Sequence, residues 1–159
     1  MPFDFDQFDQ FYDLRMVLET TAAQRLCAQG RLADNTLLAR LIAIWQVSPA
    51  QRSCDMAQVS TWDEEFHCAL VAAAGNVEMA KVHSEVTERI RIIRRLDFTQ
   101  PARIAATYEE HAKILEAIQR RRGDQAALLL RVHIETSQAE VRKITLHQVH
   151  LAREAGEAK

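Results

Sequence analysis

The sequence has little glycine, proline or cysteine and no strong charge of one sign. Of its 159 residues, 4 are Gly, 3 are Pro and 3 are Cys, while 48% are hydrophobic. So few turn-forming residues argue against a fold of many short strands and favour helices joined by brief turns. The formal net charge of -2 gives no whole-chain affinity for nucleic acid. The length suits one domain with a sizeable core.

Cysteine usage and the absence of long apolar runs indicate where the protein works. Cys27, Cys54 and Cys68 are odd in number and lack the paired spacing of a zinc knuckle or a redox motif. No apolar run reaches the length of a membrane span, and the N-terminus is acidic and aromatic rather than a charged signal with an apolar core. These features predict a soluble, cytoplasmic protein with no membrane partner.

Apolar residues recur at steps of three and four along most of the chain, which is typical of helices with one buried face. Gly30, Pro49, Gly75, Pro101 and Gly123 separate the periodic stretches. The pattern predicts an all-α fold: a single domain over residues 1–159, built as an antiparallel bundle of about six helices. The predicted helices cover residues 8–29, 35–47, 54–74, 77–97, 101–121 and 124–154.

Three histidines and one aspartate fall on inward faces of the predicted helices. Asp63 and His67 stand one turn apart on the third helix, and His111 and His133 have apolar neighbours at helical spacing on the fifth and sixth. One inward histidine is ordinarily a hydrogen-bonded core residue, but a buried group of four polar side chains is costly unless they are paired or bound to a metal. Imidazoles with one carboxylate suit zinc, nickel, manganese or iron, so we expect a central metal and ligand pocket.

Arg15 lies among apolar neighbours on the first helix, and two interpretations of it stay open. In the first, its charged end reaches solvent along the apolar surface or pairs with Glu19 one turn on, and in the second it anchors an anionic ligand. Two other kinds of site lack the residues they need. A di-iron centre requires Glu-x-x-His on two helices, and only Glu64 with His67 has this spacing. Cys68 is adjacent to His67 on a helix, so the two side chains point apart and no nucleophilic pair forms.

Several short motifs occur together in a fixed order. They are Asp-x-x-Phe-His-x-x-Leu at 63–70, Ala-Gly-Asn at 74–76, Glu-His-x-x-Ile-x-x-Ala-Ile at 110–118, and a Gly-Asp turn followed by His133. Their order and spacing resemble the FCD domain, the C-terminal effector-binding domain of the FadR subfamily of GntR-type transcription regulators. Asp-Leu-Arg-x-x-Leu-Glu at 13–19 is similar to the start of that domain's first helix, so the resemblance spans nearly the whole chain.

The resemblance implies a metal-dependent sensor domain and not an enzyme. A divalent metal, with zinc as the first choice, would be bound by the positions of Asp63, His67, His111 and His133, and Arg15 would bind the carboxylate of a small organic acid beside it. The resemblance also implies a homodimer. Family members ordinarily carry an N-terminal winged helix-turn-helix, so we expect DNA binding only through a domain outside this chain. The chain itself is then either part of a longer regulator or a freestanding sensor.

Two other functions stay as alternatives. A metal-dependent hydrolase or lyase would need an acid or base near the ion, and Glu64, Glu65 and Glu110 are the residues that could serve. A helical protein-interaction module would bind no small ligand at all.

The turn before the last helix departs from the family pattern and affects one ligand. If Asp124 caps that helix, His133 is rotated away from the other donors. A cap near Arg122, with Asp124 in the first turn, keeps His133 in place.

Overall fold

The computed structural model describes residues 3–30 and 32–158, so residues 1, 2, 31 and 159 of the expected 1–159 domain lie outside it. Over the described ranges the chain forms six α-helices and three short 3-10 segments, without a strand, and the all-α prediction is confirmed. The α-helices are α1 (Phe5–Cys27), α2 (Thr36–Trp45), α3 (Met56–Ala73), α4 (Val77–Arg94), α5 (Pro101–Gln119) and α6 (Gly123–Glu157). The 3-10 segments are Leu32–Asp34, Pro49–Gln51 and Arg95–Thr99.

Side-chain caps explain where the first four α-helices begin. Asp4, Asn35, Asp55 and Asn76 each accept a hydrogen bond from a backbone N–H in the first turn of the helix that follows. The cap at Asp4 starts α1 earlier than the predicted residue 8. After α3, Gly75 has a φ of 88°, a left-handed conformation that glycine adopts without strain.

The turn between α5 and α6 has the geometry that keeps His133 directed inward. Arg122 is the N-cap residue, α6 begins at Gly123, and Asp124 lies in the first turn. The backbone reverses at Arg121, whose φ of 56° lies in the left-handed region. In this register the side chain of His133 is buried in the bundle.

The longest helix, α6, spans 35 residues and packs antiparallel to α1. Gln138 donates a hydrogen bond of 2.8 Å to Asp9 near the start of α1, whereas Gln24, near its end, donates one of 3.3 Å to Asp124. Neither α6 nor any other helix in the described ranges has the length and apolar composition needed to cross a bilayer.

The buried side chains form two apolar cores with a layer of polar residues where they meet along α1 and α6. The small apolar core consists of Phe8, Tyr12, Met16, Val86, Ile90, Ile134 and Val141. The large apolar core consists of Ala22, Ala23, Leu26, Cys27, Leu32, Leu38, Leu41, Trp45, Val59, Phe66, Leu70, Val71, Ala73, Phe98, Ile104, Tyr108, Ile114, Leu115, Ala117, Ile118, Ala126 and Leu130. The polar layer consists of Arg15, Glu19, Asp63, His67, His83, Arg94, Asp97, Arg103, His111 and His133.

Candidate metal centre

Four buried side chains from three helices meet at one point. Asp63 and His67 come from α3, His111 from α5 and His133 from α6, and their possible ligand atoms all lie within 4.8 Å of one another. Asp63 Oδ1 lies 3.3 Å from His67 Nε2 and 3.2 Å from His111 Nε2. His133 Nε2 lies 3.2 Å from the Nε2 atoms of both other histidines. The helices therefore bring together the four residues that the sequence singled out.

The separations between these atoms suit donors that share one ion. Metal–ligand bonds of about 2.1 Å place neighbouring donors about 3.0 Å apart in an octahedral site and about 3.4 Å apart in a tetrahedral site. The four neighbouring separations of 3.2 to 3.3 Å fall between these values. Three imidazole nitrogens with one carboxylate oxygen form a donor set that zinc and other first-row ions accept.

Two further carboxylates orient two of the imidazoles. Glu19 accepts a short hydrogen bond from His67 Nδ1, and Glu110 Oε2 accepts one of 2.6 Å from His133 Nδ1. A neutral imidazole that donates through Nδ1 carries a bare lone pair on Nε2. The Nε2 lone pairs of His67 and His133 then face each other across 3.2 Å, a repulsive arrangement that a bound cation would relieve.

Burial and neighbouring charges together favour the protonation states that metal binding requires. Burial lowers the pKa of His67, although the charges of Glu19 and Asp63 oppose the shift. It lowers the pKa of His111 well below the ordinary value of 6.5. Burial alone would raise the pKa of Asp63, but Arg94 and the neighbouring imidazoles hold it well below its ordinary range. At neutral pH these groups present two neutral imidazoles and a carboxylate to a cation.

His111 has aromatic packing where His67 and His133 have a carboxylate on Nδ1. Its ring stacks on Phe66 with centroids 3.7 Å apart and an interplanar angle of 9°, and it meets Trp45 edge-on at 4.2 Å. Its Nδ1 has no hydrogen-bond partner among the described residues. The large apolar core therefore fixes the orientation of this ring without placing a charge on it.

Arg15 is fully buried, and its guanidinium group is only partly engaged. Its Nε donates to Glu19 Oε2 at 2.6 Å, so the pairing expected one turn along α1 is present. Its Nη1 is buried and lacks a hydrogen-bond partner in the part of the chain that the structure describes. One side chain thus combines the ion pair with a donor that is free to bind a ligand, and the two interpretations of Arg15 are compatible.

Arg94 and Tyr12 are further buried polar residues beside the candidate site that sequence reasoning missed. Arg94 Nη2 donates to Asp63 Oδ2 at 2.7 Å, on the carboxylate oxygen that does not face the histidines. Within residues 3–30 and 32–158, the buried atoms Arg94 Nη1 and Tyr12 Oη have no hydrogen-bond partner. Burial raises the pKa of Tyr12, and the nearby charges of Arg15 and Arg94 oppose that shift. The sequence contains a signal for Arg94, because this residue lies one helical turn after the inward-facing Ile90.

A second ionic group extends the polar layer on the side of His133. Asp97, from the segment after α4, accepts hydrogen bonds from Arg103 Nε at 2.9 Å and from Ser137 Oγ at 3.0 Å. Burial raises the pKa of Asp97, although these hydrogen bonds act against the shift. Arg103 Nη1 also lies 3.5 Å from Glu110 Oε1. The carboxylate that orients His133 is therefore itself held in place.

The carboxylates considered for acid–base chemistry are engaged by other side chains. Glu64 binds Arg91 through hydrogen bonds of 2.7 to 3.0 Å, and Glu65 pairs with Arg40 on the surface. Glu110 accepts the hydrogen bond from His133 Nδ1 described above. Each of the three thus has a structural partner of its own.

The sequence matches a known domain family and a curated regulator. The family model of the FCD domain matches residues 10–136, a range that includes the four candidate ligands and Arg15. The chain is also 29% identical over 124 residues to the Nta operon transcriptional regulator of Aminobacter aminovorans. The matched segment covers 78% of this chain and 56% of that protein, so the chain spans little more than half of the relative's length.

Proposed function

Since the chain belongs to the FCD domain family, we propose that it is the metal-dependent effector-binding domain of a GntR/FadR-type transcriptional regulator. A divalent metal and Arg15 together bind a small organic acid. The observation that carries the proposal is the convergence of four buried donor atoms within 4.8 Å of one another. The relative that is named a transcriptional regulator supports the regulatory role.

Asp63, His67, His111 and His133 would hold the ion. Zinc is the first choice, and nickel, manganese and iron accept the same donors. When bound, the ion supplies Lewis acidity and an open coordination position that an oxygen of the acid can occupy.

Three buried donor groups make an organic acid a suitable ligand. Arg15 Nη1, Arg94 Nη1 and Tyr12 Oη have no partner within the described residues. Each unpaired buried donor costs about 1–3 kcal/mol, which charge-assisted hydrogen bonds to a carboxylate would recover. The charges of the two arginines are already balanced by Glu19 and Asp63. A bound metal would add positive charge to the site, and an anion would balance it.

Binding of the acid would be transmitted through α1 and α4 to a second copy of the chain. Arg15 and Arg94 belong to these helices, so an acid bound by both fixes the helices relative to each other. A groove of about 860 Å³ between the start of α1 and the end of α4 is lined by apolar side chains such as Phe5, Phe11 and Ile93 and by charged ones such as Asp6 and Arg89. A homodimer through this face would bury the apolar side chains, and its geometry would set how paired winged-helix domains meet DNA half-sites.

The engagement of Glu64, Glu65 and Glu110 supports a sensor over a hydrolase or lyase, because a general base must be free to reach the substrate. Turnover of esters or amides of small acids would favour the enzyme instead. A protein-interaction module would show no thermal shift with either metals or acids.

Metal analysis of the purified protein tests the proposal. We expect about one ion per chain, as four convergent donors require. His67→Ala and His111→Ala should lose the ion, because each removes a buried donor. His147→Ala and His150→Ala, on the exposed end of α6, are matched controls that should retain it. Unchanged metal content in the first two variants would reject the site.

A thermal screen of carboxylic acids, with and without chelator, tests ligand binding. An effector at saturation should stabilise the metal-loaded protein by a few kcal/mol, roughly the value for a ligand well above its dissociation constant. Arg15→Met should abolish the shift caused by the acid and keep the metal. An equal shift in Arg15→Met would remove Arg15 from the ligand site.

A further inference from the structure

Glu19 touches one residue from each half of the proposed site. Its side chain is fully buried in α1. Oε1 accepts the short hydrogen bond from His67 Nδ1, and Oε2 accepts the 2.6 Å hydrogen bond from Arg15 Nε. The same Oε2 lies 3.4 Å from His83 Nε2. A single carboxylate therefore joins a candidate metal ligand to a candidate anion-binding residue.

Each of these two partners has a further nitrogen that makes no hydrogen bond to Glu19. His67 presents Nε2 to the other metal donors, 3.3 Å from Asp63 Oδ1. Arg15 keeps Nη1 without a partner in the described part of the chain. The path from an anion on Arg15 Nη1 to an ion on His67 Nε2 thus runs through the guanidinium, the carboxylate and the imidazole, all buried.

Glu110 provides a natural comparison within the same molecule. It also accepts a hydrogen bond from Nδ1 of a candidate metal ligand, His133, at 2.6 Å. Its other oxygen, however, faces Arg103 at 3.5 Å, and Arg103 Nε is bound to Asp97 at 2.9 Å. Glu110 orients an imidazole in the same way but has no contact with Arg15.

The charges along the path determine the direction of the effect. Arg15 neutralises part of the charge of Glu19 and so weakens the polarisation of His67 by that carboxylate. An anion on Nη1 would offset the charge of Arg15, leave Glu19 a stronger acceptor and make His67 a better metal ligand. By linkage, a bound metal would strengthen anion binding by the same factor.

We infer that Glu19 is the positioning residue that makes metal binding and anion binding interdependent. The inference rests on the proposed function, since it requires that both ligands bind.

The test measures zinc affinity by competition with a chromophoric chelator. It is done once in acetate and once in chloride at equal ionic strength, and the values are corrected for zinc–acetate complexes in solution. The readout is the ratio of the two affinities. In the wild type we expect acetate to raise zinc affinity by about fivefold or more, a typical coupling between two sites.

Glu19→Gln keeps an oxygen for His67 but loses the charge, and Glu110→Gln makes the same change beside His133. Both should lower zinc affinity by about 10- to 100-fold, the usual effect of losing such a partner. Only Glu19→Gln should lower the acetate ratio, leaving at most the part that direct contact between acetate and zinc supplies, and a merely structural role would not separate the two variants in this way. A ratio as high in Glu19→Gln as in Glu110→Gln would overturn the inference.

Arg15→Lys changes the anion-binding end of the same path. It provides the test if Glu19→Gln does not fold. Arginine can bind Glu19 with one nitrogen and an anion with another, whereas lysine has a single ammonium group. The ratio of zinc affinities in acetate and in chloride should therefore fall in this variant, while zinc still binds. Arg103→Lys should keep the ratio. A wild-type ratio of unity, or an unchanged ratio in Arg15→Lys, would overturn the inference alone, whereas a wild type that binds no zinc would overturn the proposed function as well.

Discussion

The polar layer and the large apolar core hold the same helices together by different means. In the large apolar core, fully buried side chains such as Leu41 and Leu70 pack against other apolar groups. In the polar layer, Arg94 neutralises the charge of the buried Asp63 carboxylate. That layer also contains buried donors without a partner among the described residues. The large apolar core therefore stabilises the bundle, whereas the polar layer has the unpaired donors that the proposed ligand-binding role requires.

Breaking a buried ion pair of the polar layer should have the largest effect on stability. Arg94→Leu leaves the Asp63 carboxylate buried without a cation, so the free energy of unfolding should fall by about 3–5 kcal/mol. Urea denaturation of the chelated protein measures this loss. Adding Asp63→Asn to the variant should recover part of it, because the lone charge is then gone. A loss no larger than that of Arg95→Leu, the exposed neighbour, would contradict the role assigned to the pair.

A cavity in the large apolar core should lower stability without altering the site. Leu41→Ala removes a fully buried side chain of α2, and we expect a loss of about 3 kcal/mol from the lost contacts and the cavity. Metal content should stay the same, because α2 supplies none of the four donors. The control is Leu37→Ala on the same helix, where the side chain is 39% exposed and the loss should be small. Loss of the metal in Leu41→Ala would show that the two regions are not independent.

The helices could be predicted because their signals are local. Apolar periodicity locates the buried faces, and Asn35, Asn76 and Pro101 mark starts that the structure retains. The start of α1 was placed too late, since the capping Asp4 lies in an aromatic stretch without clear periodicity. Boundaries thus follow from sequence wherever a cap and a periodic stripe coincide.

The inward residues of the site could be selected from the sequence, but their partners could not. Asp63 and His67 share a face by their spacing alone, and His111 and His133 stand on apolar stripes. The bond from His67 to Glu19 joins residues 48 apart, and periodicity does not determine which helix faces which. Predicting that the carboxylate beside Arg15 orients an imidazole of α3 therefore requires the packed bundle.

Acidification should produce the smallest effect and act on the polar layer alone. Burial lowers the pKa of His67 and of His111 in the folded chain, while the unfolded chain takes up protons near the ordinary pKa of 6.5. Each contributes stability that is present above that pH and is lost as the pH falls, by up to about 1.4 kcal/mol per pH unit. His83 acts oppositely: burial alone would lower its pKa, but contacts with Cys68 and Glu19 raise it, so its protonation stabilises the folded chain at lower pH.

With two histidines losing stability and one gaining it, the chelated protein should lose stability on balance between about pH 7.5 and about pH 5.5. Urea denaturation at each pH gives the profile. His83→Gln removes the opposing gain, so its stability should fall further than that of the wild type over the same pH range. Leu41→Ala should instead lower the profile equally at every pH, because an apolar cavity takes up no protons. The prediction is contradicted if the free energy of unfolding of the wild type does not change with pH, or if His83→Gln leaves its pH dependence unchanged. These imidazoles would then titrate as exposed groups do, and the polar layer would not differ from the large apolar core in its response to pH.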